Sequence, residues 1–495
     1  MPPATLPQEI KLKLALPTGD PVGLARRLAS LPVLSRRKAV HLKLHNIYFD
    51  SPDQLLHGQK MTLRLRQIDT EAAPTWVQTL KIGKSGESAL SQRAEWEEAV
   101  PDGRLNLDNL LHTPWAEFDP TGQIFRALRP MFVTQFDRTS WIVKRRNGSA
   151  VEVSLDIGQV TVEGKSTPIC ELELELLKGT PDALFDIARS IALALPLLPL
   201  GVSKAERGFA LAQGMLHRPV RAQPPVLTPT LALPELAKTV LQEMFLQFTA
   251  NLNILRVSDD PEVLHQARVG WRRFRGALKW FRNTPILDLI PLRDPLGPLL
   301  TAMTDMRDLD VAQSETLPMF ANAYTAGDAH RQQQWRALKR ALGAAAQLQH
   351  QRLRNALEAP AVGATLIAIT QWLEGIPSRD QPKVKKKKPT DTTVWARACA
   401  ERLHGKLKAA PAYAKDPKIQ HRTRILSKKM RYCVESLRSL LPEKRARRWH
   451  QSATRLQEKI GSARDIMQTL AIVASLEVDA ELVAFLQRTA AGTKP

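Results

Sequence analysis

Between residues 8 and 215 apolar and polar side chains alternate one for one in several short stretches. Glu9-Ile10-Lys11-Leu12-Lys13-Leu14 places its charges at odd positions and its aliphatics at even ones, and Leu63-Arg64-Leu65-Arg66 does the same with two arginines. Cys170-Glu171-Leu172-Glu173-Leu174-Glu175-Leu176, Val151-Glu152-Val153-Ser154-Leu155-Asp156 and Arg93-Ala94-Glu95-Trp96-Glu97 follow the rule. Side chains two apart share one face of a strand, so this period predicts strands, each with a charged face and an aliphatic face. From about residue 235 the period lengthens to that of helices rich in Ala, Leu and Arg. The expected division is a strand-rich domain over 6–215, a Pro-rich semi-rigid linker over 216–234 and a helical domain over 235–490, with a basic Lys-rich loop at about 379–392. The expected class is therefore α+β multidomain.

Charge sharpens this picture. The 495 residues carry 71 Lys+Arg against 49 Asp+Glu, a net charge of +22, which draws phosphate-bearing anions towards the surface. A basic surface kept for solubility is the plainer alternative. Three widely spaced cysteines, Cys170, Cys399 and Cys433, exclude a disulfide scaffold and a CxxC zinc site. Met1-Pro2-Pro3-Ala4 lacks the layout of a secretory signal, and no apolar run has transmembrane length, so the cytoplasm is the expected location.

One charged strand face needs no explanation beyond water. Three glutamates about 7 Å apart along one face, with blocks of opposite sign at Lys11/Lys13 and Arg64/Arg66, ask for more. Closed into a barrel with polar faces inward, such strands line a lumen with an acidic wall and a basic wall. An oligophosphate with divalent cations suits that lumen, the cations of the protein on phosphate oxygens and the carboxylates on metal.

In their order these pieces resemble the CYTH or triphosphate tunnel metalloenzyme family: Glu9-x-Lys11-x-Lys13, Asn46 to Asp50, Leu63 to Arg66, Thr79-Leu80-Lys81, Gln92 to Glu95, Asp137-Arg138, Asp156-Ile157-Gly158, Glu171-x-Glu173-x-Glu175 and Ser203 to Gly208. The layout is similar to inorganic triphosphatases that carry an extra C-terminal domain. The resemblance implies an eight-stranded antiparallel β tunnel that hydrolyses tripolyphosphate to pyrophosphate and phosphate with Mg²⁺ or Mn²⁺. It implies that Lys13, Arg64, Arg66, Lys81, Arg93, Arg138 and Lys204 hold phosphates, with Lys11 beside them. Glu9, Asp156, Glu171, Glu173 and Glu175 would serve the metals, Glu9, Lys13, Arg64, Arg66 and Lys81 standing closest to the catalysis. One position departs: the family opens Glu-x-Glu-x-Lys, and Lys11 replaces the second Glu. A carboxylate exchanged for an ammonium weakens nearby metal binding and favours phosphate. Slower chemistry with Lys11 in place of one metal, unaltered chemistry, or binding without hydrolysis are the three outcomes.

The helical half contains a repeat. His265, Arg268, Arg272 and Arg275 are spaced 3, 4 and 3 apart, and His421, Arg424, Lys428 and Arg431 repeat those spacings. Each set falls on one side of a helix. Arg307-Asp308 follows His265 by 42 residues and Arg464-Asp465 follows His421 by 43. The near-equality predicts an all-α pseudo-twofold pair of bundles whose ridges converge. The Asp of each pair is expected to buttress a ridge arginine, a direct phosphate contact by Arg307 and Arg464 remaining open. Like charges at i,i+4 cost a helix about 0.2–0.5 kcal/mol per pair, so a ridge present twice suggests an anionic ligand. This half resembles the CHAD domain, which implies binding of long-chain inorganic polyphosphate and, in some relatives, association with polyphosphate granules. Aromatics are 5% of the chain and none is interleaved regularly in the ridges, which disfavours nucleic acid. Oligomeric state is not legible. A non-catalytic polyphosphate-binding protein with a degenerate tunnel is the alternative function.

Overall fold

The computed structural model describes residues 8–69, 74–83, 88–282, 284, 291, 293–376, 391–410 and 417–492, with backbone alone at 417–418, 459–464 and 490–492. The Lys-rich run at 383–388 lies outside the described residues. One compact unit comprises 1–218 with 252–256 and 358–374; the other comprises 219–251, 257–357 and 375–495.

The first unit is built on β1 (Gln8–Ala15), β2 (Val40–Asp50), β3 (Met61–Asp69), β4 (Thr75–Ile82), β5 (Leu90–Ala99), β6 (Arg129–Lys144), β7 (Ala150–Val162), β8 (Lys165–Lys178) and the two-residue β9 (Leu198–Pro199). The antiparallel order β5-β4-β3-β2-β6-β7-β8-β1 closes because β1 pairs back onto β5, with β9 beside β1. Eight strands thus make a closed tunnel, as expected. The alternation read in the sequence assigns the faces: Leu12, Leu14, Leu172 and Leu174 are at most 1% exposed and join the outer core. That core includes Leu24 and Leu28 of helix α1 (Pro21–Ser30). The short helices α2 (Leu55–Gly58), α3 (Trp115–Phe118) and α4 (Gln123–Ala127) lie along the chain before β6, and Trp115 anchors a cluster with Leu63 and Leu80. Helix α5 (Asp182–Ala192) adds Leu184, Phe185, Ile187 and Ile191 to the outer core.

Helix α6 (Lys204–Ala212) seals a second, smaller core. Ser203 caps it reciprocally, its hydroxyl accepting from Glu206 N at 3.2 Å while Ser203 N donates to the Glu206 carboxylate at 2.6 Å. Ala205 and Phe209 then pack with Tyr48, Phe132 and Phe136. At Gly208 a Cβ would sit 2.3 Å from the Phe132 ring, so glycine is what lets the helix lie against β6.

In the helical part of the chain α7 (Leu233–Leu255) and α8 (Pro261–Ala277) precede α9 (Gly297–Val311), a π-helical turn at Ala312–Thr316 and α10 (Pro318–Thr325). Helices α11 (Ala329–Leu357), α12 (Pro360–Glu374), α13 (Thr392–Lys408), α14 (Pro417–Ser436), α15 (Glu443–Ala474) and α16 (Ala480–Gly492) follow. Helix α12 packs in the first unit, where Ile367 enters the outer core and Gly363 closes on the Leu197 carbonyl, 2.2 Å from where a Cβ would stand. The repeated helices meet in kind, α8 against α14 and α9 against α15. The Pro-rich stretch before α7 is strapped down: Val220 exchanges hydrogen bonds of 2.8–3.0 Å with the Asn251 side chain, and Leu227 N donates to Ser439 Oγ at 2.9 Å.

Gly208→Val forces α6 off the Phe132 ring. The urea midpoint of the first unit should fall, by a stability loss of about 1–3 kcal/mol. An unchanged midpoint would show that the close approach is not required.

Candidate functional site

Register places the lumen charges before any side chain moves. Arg138 of β6 lies across from Asp156 of β7, and Asp156 across from Glu171 of β8, making one row over three strands. Lys11 and Lys13 of β1 face Glu175 and Glu173 of β8. On the other side Glu9 faces Arg93, and Lys81 of β4 faces Glu95 of β5. Arg64 and Arg66 of β3 stand opposite Tyr48 and Asn46 of β2.

Side chains turn these rows into two knots. In the first, Arg138 donates to both oxygens of Asp156 at 2.7 Å and to Glu173 at 2.8 Å. Lys204, the first residue of α6, donates to Asp156 at 2.7 Å and Glu173 at 2.9 Å, and also to Glu171. Glu171 accepts from Arg207 as well. Three carboxylates and three cations close on one another. In the second knot, Glu9 pairs with Lys11 and lies 2.9 Å from Lys81, which is 2.8 Å from Glu95. Lys11 reaches Glu175 at 3.0 Å. Arg64 stands 3.4 Å from Glu97 and 3.6 Å from Glu95, and Arg66 donates to Asn46 at 2.9 Å.

Burial works against every one of these charges, and the neighbours decide the outcome. At Glu9 burial opposes ionisation, yet Lys11 and Lys81 hold the carboxyl far below its usual range. Glu95, desolvated and hydrogen-bonded to Glu9, is raised instead, so burial and coupling push the two carboxyls in opposite directions. Burial and Arg93 bring Lys13 down to about 8; burial, Lys11 and Arg64 do the same to Lys81. Lys11 and Lys204, also buried, are raised by the carboxylates around them.

The lumen holds a cavity of about 620 Å³ including its open mouth. Of the described residues lining it, eight are cations (Lys11, Lys13, Arg64, Arg66, Lys81, Arg93, Arg138 and Lys204) and two are carboxylates, Glu9 and Glu173. Arg64 Nε and Arg93 Nε are buried with no hydrogen-bond partner among the described residues. Donors so placed suit an anion supplied from outside. A divalent cation also has a donor set: Asp156, Glu171 and Glu173 each present an oxygen within 4.8 Å of the others, the ligand type hard cations take. The fit is chemical, and Lys204 Nζ shares the same carboxylates.

The predicted lumen residues are thus gathered into one place, but not as an acidic wall facing a basic one. Arg138 and Lys204 sit among the acids, and Glu95 and Glu97 among the bases. Glu95, Glu97 and Arg207 were not singled out as site residues. The first two share the parity of Arg93, which was the available signal; Arg207 lies one turn beyond Lys204, a clue only once α6 is known. Tyr48 packs on Phe132, ring centroids 4.7 Å apart, and also lines the cavity.

In the second unit His265, Arg268 and Arg272 are half-buried along α8, with Arg275 exposed; Arg424, Lys428 and Arg431 are half-buried along α14, with His421 exposed. The two ridges face each other: Arg272 reaches the Tyr432 hydroxyl at 3.5 Å, and Lys428 is among the charges acting on His265. Burial, Arg307 and Arg272 push His265 down to about 4, so it is neutral at pH 7. Arg272 Nε and Arg424 Nε are buried without a partner among the described residues. Asp465 stands 3.8 Å from Arg424, Glu435 3.1 Å from Arg431 and Glu315 2.7 Å from Arg307. Arg273, beside Arg272 in sequence, turns inward onto Glu243 and Gln247. The side chain of Arg464 lies outside those described.

The family model described as CYTH domain matches residues 8–209, and the one described as CHAD domain matches 239–474. The inorganic triphosphatase of Haemophilus influenzae is 32% identical over 206 residues, 41% of this chain and 55% of that protein. The chain thus spans about half the length of that relative. Among solved structures, the CHAD domain from the plant Ricinus communis is 27% identical, covering 56% of this chain and 91% of that one with a TM-score of 0.48. HpAC1 from Hippeastrum, described as revealing a dominant triphosphatase activity, is 20% identical, covering 42% and 95% with a TM-score of 0.28. A closed tunnel with a charged lumen under the first match, and paired cationic ridges under the second, agree with what the two models find: the chain contains a CYTH domain over 8–209 and a CHAD domain over 239–474.

Proposed function

We propose that the tunnel is a metal-dependent inorganic triphosphatase, hydrolysing tripolyphosphate to pyrophosphate and phosphate. The observation that carries this is the lining of a single cavity, among the described residues, by eight cations, two of them with a buried Nε that has no partner there. The match to an inorganic triphosphatase supports it over the first 40% or so of the chain. In this reading Lys13, Arg64, Arg66, Lys81, Arg93 and Arg138 grip the phosphate chain. As the bond to the leaving pyrophosphate breaks, these fixed cations offset the charge that develops, with no reorganisation needed at that moment. Asp156, Glu171 and Glu173 would hold Mg²⁺ or Mn²⁺, with Glu9 and Glu175 nearby. When bound, such an ion neutralises phosphate charge and polarises the phosphoryl group. The attacking group is water, oriented by lumen carboxylates. Arg64 and Arg66 are preordered by Tyr48 and Asn46, which lowers the cost of binding.

A second reading rests on Lys11. Its ammonium bridges Glu9 and Glu175, two carboxylates that would otherwise be available to metal. A tunnel that binds oligophosphate and hydrolyses it slowly or not at all follows from that bridge.

For the helical unit we propose long-chain inorganic polyphosphate as ligand, laid between the α8 and α14 ridges. Nucleic acid is disfavoured, because the aromatics within the α8 ridge are used in packing: Trp271 stacks on Phe274 and packs on Phe248, and Phe274 packs on Phe245. No single helix among the described residues is long and apolar enough to cross a membrane. The cytoplasm, with polyphosphate granules as a site of attachment, is the proposed location.

Three measurements check these proposals. Wild-type protein should release phosphate from tripolyphosphate with Mg²⁺ or Mn²⁺, and Lys11→Glu should change that rate; binding with no turnover by either metal selects the second reading, and activity gained by Lys11→Glu identifies its cause. Tripolyphosphate affinity, measured calorimetrically with chelator present, should fall as pH rises through about 8. Lys13 and Lys81 are charged below that value and neutral above it, and their ammonium forms hold the anion. Lys81→Arg should make the fall near pH 8 smaller, leaving the part due to Lys13. Long-chain polyphosphate should displace DNA from the protein at physiological salt, and Arg272→Ala with Lys428→Ala should weaken polyphosphate binding about tenfold or more with a shallower salt dependence.

A further inference from the structure

We infer that Lys204 is an internal competitor for the divalent cation: its ammonium occupies the carboxylate triad until an oligophosphate draws it away, which makes metal and phosphate bind the tunnel cooperatively. The inference rests on the metal-binding part of the reading above.

Three features of the site lead to it. The first is position. Lys204 Nζ touches Asp156, Glu171 and Glu173 together, the same three groups whose oxygens lie within 4.8 Å of one another. An ammonium within 3 Å of all three oxygens fills the space an oxygen-bound divalent ion needs, and two cations cannot share it.

The second is charge. Three carboxylates are balanced by Arg138, Arg207 and Lys204. Arg138 is held in a fork on both oxygens of Asp156. Arg207 approaches from α6 and pairs with Glu171. Lys204 alone reaches all three, so it is the cation whose departure opens the triad. Its loss leaves one negative charge in excess, and a divalent ion reverses the sign.

The third is freedom to move. The backbone of Lys204 is fixed by the Ser203–Glu206 cap, while its ammonium stands at the end of a four-carbon stem that can change rotamer, and the residue lines the same cavity as Arg66 and Arg93. Its ammonium already stands 4.9 Å from the Phe136 ring, which also faces that cavity. A change of rotamer suffices to carry the charge from the triad to a phosphate oxygen without shifting the helix. Phosphate therefore offers Lys204 a second partner and frees the carboxylates for metal. By linkage, metal in the triad likewise sends Lys204 to phosphate.

Mn²⁺ binding to the full chain, followed by loss of the free-ion paramagnetic resonance signal and with no phosphate present, tests this directly. Wild type should bind Mn²⁺ weakly, and Lys204→Met should bind it about tenfold tighter or more, one buried positive charge having been removed. Lys204→Arg should stay weak, since it keeps the charge. Adding Asp156→Asn to Lys204→Met should abolish the gain, which assigns it to the triad. Equal affinity of wild type and Lys204→Met, or a gain that survives Asp156→Asn, overturns the inference. Circular dichroism checks the fold of each variant, and Lys204→Gln replaces Lys204→Met if the latter unfolds. Phosphate release by wild type reports separately on the triphosphatase reading: turnover with unchanged Mn²⁺ affinity sinks only the competitor, and a Mn²⁺ gain without turnover sinks only the hydrolase.

Discussion

A charge that faces the inside of a closed sheet loses most of its water, and the loss is offset only by an opposite charge or a ligand close by. The tunnel meets that constraint through strand register. Cross-strand neighbours lie about 5 Å apart, so an acid directly opposite a base is already near contact. Arg138, Asp156 and Glu171 follow one another across β6, β7 and β8, and Lys81 and Glu95 face each other across β4 and β5. A slip of one residue would turn each of these groups to the other side of the sheet. The aliphatic outer face prevents it, because Leu12, Leu14, Leu172 and Leu174 would then enter the lumen. Hydrophobic packing outside and ion pairing inside thus specify a single register.

Pairing is incomplete in a way that matters chemically. Among the described residues, carboxylates of the lumen are almost all engaged, cations lining the cavity outnumber the carboxylates that line it, and the Nε atoms of Arg64 and Arg93 have no partner. Burial, with the neighbouring cations Arg93, Lys11 and Arg64, lowers the proton affinity of Lys13 and Lys81. An anion entering the cavity restores what burial removed. The helical unit handles cations differently. Its ridges lie on helix faces with partial access to water, and carboxylates from the same or neighbouring helices, such as Asp465 and Glu435, hold individual arginines. Those pairs are partly exposed and contribute little stability, so they can yield to a stronger anion.

Several parts of this arrangement could be read from residues alone and others could not. Period-2 alternation assigned the charged faces of β1, β3 and β8, since parity along a strand is a local property. The equal spacing of the two His-led ridges anticipated that α8 and α14 would meet. The expectation of separate acidic and basic walls fails, because it treated each strand as one sign. Neighbouring strands alternate in sign at single positions, which depends on register and not on composition. Spacing placed Arg272 on the ridge and left Arg273 off it, but only the seating of α8 on α7 shows that Arg273 is buried on Glu243 while Arg272 faces the opposite ridge.

By itself the sequence determined the strand faces, the helical ridges and the anion-seeking charge, because each follows from spacing within a segment and from the signs of its side chains. Closure of β1 onto β5, the meeting of Lys204 with three carboxylates from two strands, and the place of Lys11 between Glu9 and Glu175 were decided by the tertiary structure. These join groups up to 164 residues apart (Lys11 to Glu175), and no periodicity carries information over that distance. Only the folded sheet, with its register set by packing on both faces, converts a list of charges into a site.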